Sequence, residues 1–296
     1  MTALLLGALG LTLSLVVPDI LAGARWPHRA PAAAVVLWQA ITLASVLSAL
    51  GVVLAAPEEL VRAAGSGRTV AAAALIGALA VAATIVIRLL VSLGGVSYRA
   101  RARRARHRML VDLLDRTGQR RRPDVEGLRV LDGAVPFAYC VPGRSPRVVV
   151  SDGALQVLDD EQVGAVLAHE SAHLRHRHDV VIESFTAFYE AVPRPLRSRT
   201  PLDAVHLLLE MVADDAARKR CGAAPLRAAL ERLGDGAAPD PGAADERRRR
   251  LDRLATDART ARLTAAAIAA AAAILVLPTV ILVMPWLDQA LDAWPL

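Results

Sequence analysis

Cysteine is nearly missing from this 296-residue sequence, which has only Cys140 and Cys221. Neither belongs to a C-x-x-C pair, so a disulfide framework is excluded and both read as free thiols in a reducing compartment. Aromatic residues are scarce too, at 3%. No charge precedes Asp19, so the basic opening that a secretory signal peptide needs is absent. There are no internal repeats. What is abundant is aliphatic: 54% of residues are hydrophobic, mostly Ala, Val and Leu gathered into long runs. That composition excludes an ordinary soluble protein and indicates a membrane protein.

Four apolar runs are long enough to cross a bilayer: about 3–22, 32–56, 69–96 and 263–287. Arg88 lies in the last third of the third run and is read as snorkelling to the headgroups, the alternative being a functional charge within the membrane. The small residues from Gly7 to Ala22 and Ala71 to Ala83 permit close helix packing, and a homodimer is open on that ground.

The net charge of +6 is carried almost wholly by arginine, and its location decides its meaning. Six arginines follow the third run between Arg99 and Arg108, and Arg247–Arg250 with Arg253, Arg259 and Arg262 precede the fourth. Basic blocks beside spans mark the cytoplasmic side. The 57–68 connection is charge-balanced, and the tail after 287 holds Asp288 and Asp292 without a base. The expected topology therefore has both termini outside and the segment 99–262 in the cytoplasm. Membrane topology explains the arginines better than direct nucleic-acid binding, which is not expected.

Within 99–262 the spacing predicts a helix running out of the membrane to Leu114 and strands over Gly127–Val135 and Arg147–Ser151. It predicts further helices over Asp160–Arg175, His178–Glu190 and Leu202–Lys219, and a loop over Gly234–Asp245. Gly222 suits the C-cap of the last helix.

The chemistry-bearing stretch is His169-Glu170-Ser171-Ala172-His173, an H-E-x-x-H motif. Two histidines four apart share a helix face and can converge on one ion, while the adjacent glutamate can take a proton from a water on that ion. The competing reading is a polar helix that happens to carry histidines, since His176 and His178 follow. Val163, Val166, Leu167 and Leu174 give the helix a buried face, and Asp159 with Gln162 forms a candidate capping box. A catalytic zinc site needs a third ligand. Glu210 and Asp214, four apart on the later helix, offer a carboxylate for the metal and one for a histidine's second nitrogen. An exposed acidic helix face remains the alternative, and His206 is a lower-ranked ligand or site neighbour. Cys140 lacks the spaced partner a zinc-binding cysteine would need.

H-E-x-x-H followed by E-x-x-A-D resembles the membrane-embedded gluzincin peptidases. Together with Pro136–Gly143, Leu167–Leu174 and the order of spans, it is most similar to peptidase family M56, the BlaR/MecR-type transducers and their shorter relatives. That resemblance implies a mainly α protein: four transmembrane helices with a cytoplasmic zincin-like (gluzincin) α+β domain inserted between helices 3 and 4. It implies Zn2+ held by His169, His173 and Glu210, with Glu170 as general base and Asp214 behind a ligand. It also implies that Arg147, Val148, Val149 and Val150 form the edge strand on which a substrate peptide lies. The chain departs from the transducers after Leu287, where a short tail (288–296) takes the place of a penicillin-binding sensor.

The resulting expectation is an integral-membrane zinc endopeptidase whose substrate is a protein or peptide, with a cytoplasmic winged-helix repressor as the regulatory candidate. Membrane quality control and non-proteolytic signalling through a zinc domain are its rivals. Tyr139, His206 and His176 are the candidates for stabilising the oxyanion, and membrane lipid is the other partner.

Overall fold

A computed structural model describes residues 1–114, 127–194, 197–235, 241–256 and 260–292, excepting the side chains of 235, 241, 286 and 288–292. The expected tail charges Asp288 and Asp292 thus lie outside the described side chains.

Apolar segments that must satisfy their own backbone in hydrocarbon become helices. The first run is α1 (Thr2–Leu11) and α2 (Val17–Gly23), joined without a break by a π-helical turn over Thr12–Val16. Then come α3 (Pro31–Gly65) and α4 (Thr69–Leu114). Four helices among the described residues are long and apolar enough to cross a membrane: Thr2–Gly23, Pro31–Gly65, Thr69–Leu114 and Ala261–Pro285. The second exceeds its expected end at 56 because Pro57 is accommodated inside α3, and the expected connection is shortened to a turn after Gly65.

The soluble elements follow: β1 (Leu128–Leu131), β2 (Ala138–Val141), β3 (Arg147–Ser151), α5 (Asp152–Val157), α6 (Asp160–Arg175) and α7 (His178–Ala191). After them come α8 (Thr200–Cys221), α9 (Ala223–Asp235), α10 (Pro241–Leu254) and α11 (Ala261–Asp292). The Gly/Ala/Pro/Asp-rich stretch expected as a loop is helical at both ends. α9 runs to Asp235 and α10 starts at Pro241, whose fixed φ suits a first helical position. Residues 236–240 lie outside the described ones.

The chain divides into two compact units. One comprises Met1–Gly94, Ala187–Val205 and the chain from Thr260 onward. In it α1 lies so close to α3 that a Cβ at Gly51 would come within 2.7 Å of Leu6. The span cation Arg88 donates from Nε to the Ala191 carbonyl at 2.6 Å, and Ser92 donates to the Ala187 carbonyl at 2.7 Å. The Ala191 carbonyl is one of the four that α7 leaves without an intrahelical partner, and Arg88 satisfies it, while Ser92 adds a second donor to Ala187 one turn earlier. Residues 187–205, expected in the soluble domain, therefore belong with the spans.

The second unit comprises Gly95–Thr186 and His206–Arg259. Its sheet has the order β1-β3-β2, with β3 parallel to β1 and antiparallel to β2. Alternation along β3 feeds two cores. Val148 and Val150 pack with Leu128, Val163, Val166 and Leu167, while Val149 packs with Val111 and Val141. The Arg147–Val150 strand is thus central, paired on both sides, and cannot be the edge that receives a substrate. A β-branched run buried on both faces is the signature of an interior strand, so the edge next to the motif helix is β2.

Candidate metal centre

The motif helix begins as its sequence dictates. Asp159 accepts from the Gln162 amide at 2.9 Å and Gln162 Oε1 accepts from the Asp159 amide at 3.3 Å, a complete capping box. Asp160 and Glu161 favour the positive end of the helix. The apolar face formed by Val163, Val166 and Leu167 seats α6 on the sheet and leaves His169, Glu170 and His173 along the wall of a cavity of about 440 Å³.

His169 and His173 bring their Nε2 atoms to 3.1 Å. Glu210, from α8, places Oε2 at 3.3 Å from the first and Oε1 at 3.3 Å from the second. These three residues form a group whose ligand atoms all lie within 4.8 Å of one another. A tetrahedral zinc with bonds of 2.0–2.1 Å needs donor-to-donor edges of about 3.3–3.4 Å. The two imidazole nitrogens and the carboxylate oxygen facing each of them are spaced close to that edge, so these residues fit the ion that the motif implies.

Each imidazole is held from behind. Nδ1 of His169 lies 3.0 Å from Oδ1 of Asp214, which is 1% exposed. The approach is bent, an ion-pair contact rather than an aligned hydrogen bond. Nδ1 of His173 lies 2.8 Å from Nδ1 of His178, which is buried. Such partners fix ring orientation and tautomer, leaving Nε2 for the metal. His178 was not recognised from the sequence as part of the site. It returns to His173 through the end of α6, where Arg177 has a φ of +52°, and spacing alone gives no sign of that reversal.

Arg250 is the second residue the sequence did not reveal. Its Nε and Nη2 make 2.8 and 2.7 Å hydrogen bonds to the two oxygens of Asp214, and its Nη1 lies 2.9 Å from Oε2 of Glu210. The arginine run Arg247–Arg250, read as a membrane flank, thus contributes one member to the site. One turn on, Arg253 grips Asp215 with bonds of 2.8 and 2.7 Å.

This network sets the charge states. Burial opposes ionisation of Glu210 and Asp214, but His169 and Arg250 overcome it and hold both carboxyls below their ordinary range. Burial likewise works against a charged His169, yet Asp214 and Glu210 raise its pKa to about 9 in the metal-free site. Burial lowers His173 and His178 to about 4, keeping both neutral near pH 7. Burial raises Glu170, which also feels the negative charge of Glu210. Cys140 is itself pushed well up by burial and by Glu170, so it stays a thiol.

Of the three oxyanion candidates, Tyr139 lines the cavity, and its hydroxyl lies 3.0 Å from His107 Nε2. His206 and His176 are exposed and absent from the lining; His176 instead stacks on His178 at 5.8 Å. A carboxylate and two imidazoles on one side, with a raised carboxyl beside them, can bind a divalent ion and manage a proton next to it.

Residues 100–217 match the family model of peptidase family M48. The match covers β1–β3, the motif helix, Glu210 and Asp214, and ends before α9 and Arg250. Among curated proteins, the chain is 43% identical over 61 residues to a protease HtpX homolog of Syntrophotalea carbinolica, covering 20% of this chain and 21% of that one. It is 31% identical over 81 residues to the homolog of Thermodesulfovibrio yellowstonii, covering 26% and 28%. The homolog of Sulfurihydrogenibium is 38% identical over 84 residues, covering 27% and 26%. The chain thus spans between a fifth and three tenths of the length of these relatives. No solved structure matches it. The likeness is to HtpX-like membrane zinc metalloproteases, and the expected assignment to family M56 finds no support. Both are membrane zinc peptidases, so the metal motif does not separate them.

Proposed function

We propose that this chain is an integral-membrane zinc endopeptidase of the HtpX-like kind that degrades damaged membrane proteins. The observation that carries the reading is the convergence of His169, His173 and Glu210, whose ligand atoms all lie within 4.8 Å of one another, beside the proton-accepting Glu170. The M48 match and the four apolar helices support it. The arginines between Arg99 and Arg108 favour a cytoplasmic site. No observation favours a winged-helix repressor as substrate or a non-proteolytic role.

His169, His173 and Glu210 would hold a zinc ion, which when bound would supply a water acidified to a pKa near 7 and polarise the scissile carbonyl. Glu170 takes the proton from the attacking water and passes it to the leaving amine; its raised pKa suits it to both tasks. Tyr139, kept protonated by burial, donates to the developing oxyanion. An extended substrate pairs with β2, the sheet edge carrying Tyr139 and Cys140.

Glu170→Gln tests this reading. The full-length variant should keep its zinc, lose cleavage of an unfolded protein substrate in detergent, and retain misfolded membrane proteins when purified from cells. Wild-type cleavage by that variant would refute the mechanism.

A further inference from the structure

The span unit holds two adjoining cavities, of about 330 and 420 Å³, which share Leu11, Ser14, Val81, Ile85 and Phe188 among their lining residues. Together they form one groove. The part farther along takes Leu4, Gly7 and Gly77, and the nearer part takes Leu15, Leu89 and Pro193. The π-helical turn over Thr12–Val16 contributes Ser14 and Leu15 to the wall. Such turns interrupt regular helix packing and recur at functional sites.

Arg88 is the one charged residue in the groove's lining. Its Nε is used on the Ala191 carbonyl. Its two terminal nitrogens make no hydrogen bond or ion pair among the described residues. The hydroxyls in the lining are neutral and supply no counter-charge; Ser14, Ser45 and Thr84 donate back to the carbonyls of Leu11, Thr42 and Ala80. A guanidinium with unused donors at the end of an apolar slot calls for an anionic headgroup with a chain attached.

The dimensions agree. Residues 4–15 of the first span cover about 16 Å and residues 77–89 of α4 about 18 Å at ~1.5 Å per residue. That is close to one leaflet of a hydrocarbon core about 30 Å thick. Arg88 stands at the end of the groove nearer the arginine-rich exit of α4, from which its long side chain can snorkel toward the headgroups on that side.

We propose that this groove is a binding site for an anionic phospholipid, with one acyl chain along α1 and α4 and its phosphate on Arg88. The lipid completes the hydrogen bonding of an intramembrane arginine that also anchors the end of α7.

The test uses the full-length protein in detergent. Bound lipid is extracted and quantified, and the thermal midpoint is followed on adding phosphatidylglycerol, phosphatidylcholine of the same chains, or glycerol phosphate. Wild type should retain phosphatidylglycerol, bind it about fivefold more tightly than phosphatidylcholine, and ignore glycerol phosphate. Arg88→Leu should abolish the headgroup preference, and Val81→Trp, which fills the slot, should lose both lipids. Equal binding of the two lipids by wild type would overturn the proposal, as would undiminished phosphatidylglycerol retention by Val81→Trp. Should Arg88→Leu fail to fold, the wild-type preference and Val81→Trp still decide.

Discussion

Two arginine-rich helical stretches look alike in sequence and behave differently in the fold. Along α4, Arg101, Arg103 and Arg106 are exposed, Arg108 lies half-buried against Gly143, and Arg104 reaches the carboxylates of Asp179 and Glu183. Along α10, Arg248 and Arg249 remain at the surface with Asp245, whereas Arg250 and Arg253 turn onto Asp214 and Asp215. What separates them is the opposite face. α8 presents two adjacent carboxylates to α10, one of them 1% exposed, and a buried carboxylate demands a paired cation. Charge composition therefore reads both stretches as membrane flanks but conceals in the second a partner of the candidate metal group.

The sharpest way to break this contrast is Arg250→Met. It leaves Asp214 buried without its bidentate partner, and we expect a loss of about 3–5 kcal/mol of stability by denaturant unfolding of the site unit. An Arg250→Met variant as stable as wild type would put Arg250 back among the surface arginines. Next is His178→Ala, which removes the atom behind His173. Zinc affinity should fall about 10–100-fold in chelator competition while the fold survives.

The same variant carries a pH signature. His178 is held at about 4 in the fold, below the ~6.5 of an unfolded histidine. The unfolded chain thus binds the extra proton between those values, and stability must drop as pH falls from about 6.5 to 4. Replacing His178 should flatten that slope in metal-free protein; an unchanged slope would show that His178 does not carry it. The depressed Asp214 and Glu210 act lower. Their contribution is fully present above the ordinary carboxylate pKa, near 4, and is lost as pH falls through the depressed values.

Arg253→Met should be milder, about 1 kcal/mol, since Asp215 keeps access to water. Smallest of all is Arg101→Ala on α4, within about 0.5 kcal/mol of wild type. If Arg101→Ala cost as much as Arg250→Met, the distinction between the two stretches would fail.

The elements that spacing governs were legible. The i, i+4 pairs His169/His173 and Glu210/Asp214, the Asp159–Gln162 box, and the Gly222 cap with a φ of +83° follow from helix periodicity and backbone preference. What was not legible depends on three-dimensional return. β3 became central only because β1 pairs with it in parallel across the intervening β2, an order that its valine run does not encode. His178 reaches His173 through one residue in the left-handed region. Arg250 reaches Glu210 and Asp214 by the docking of a helix whose opening reads as loop. The expected family finds no support for a related reason, since a motif that can hold a metal is shared by two kinds of membrane peptidase.

The central claim is that His169, His173 and Glu210 form a zinc face. X-ray absorption at the zinc edge, with metal content, tests it on full-length protein and on Glu210→Gln and Glu170→Gln. We expect about one zinc per chain with two imidazole ligands and a carboxylate in wild type and Glu170→Gln, and loss of the metal in Glu210→Gln. A zinc that stays with unchanged ligation in Glu210→Gln, or a sulfur ligand from Cys140, would contradict it.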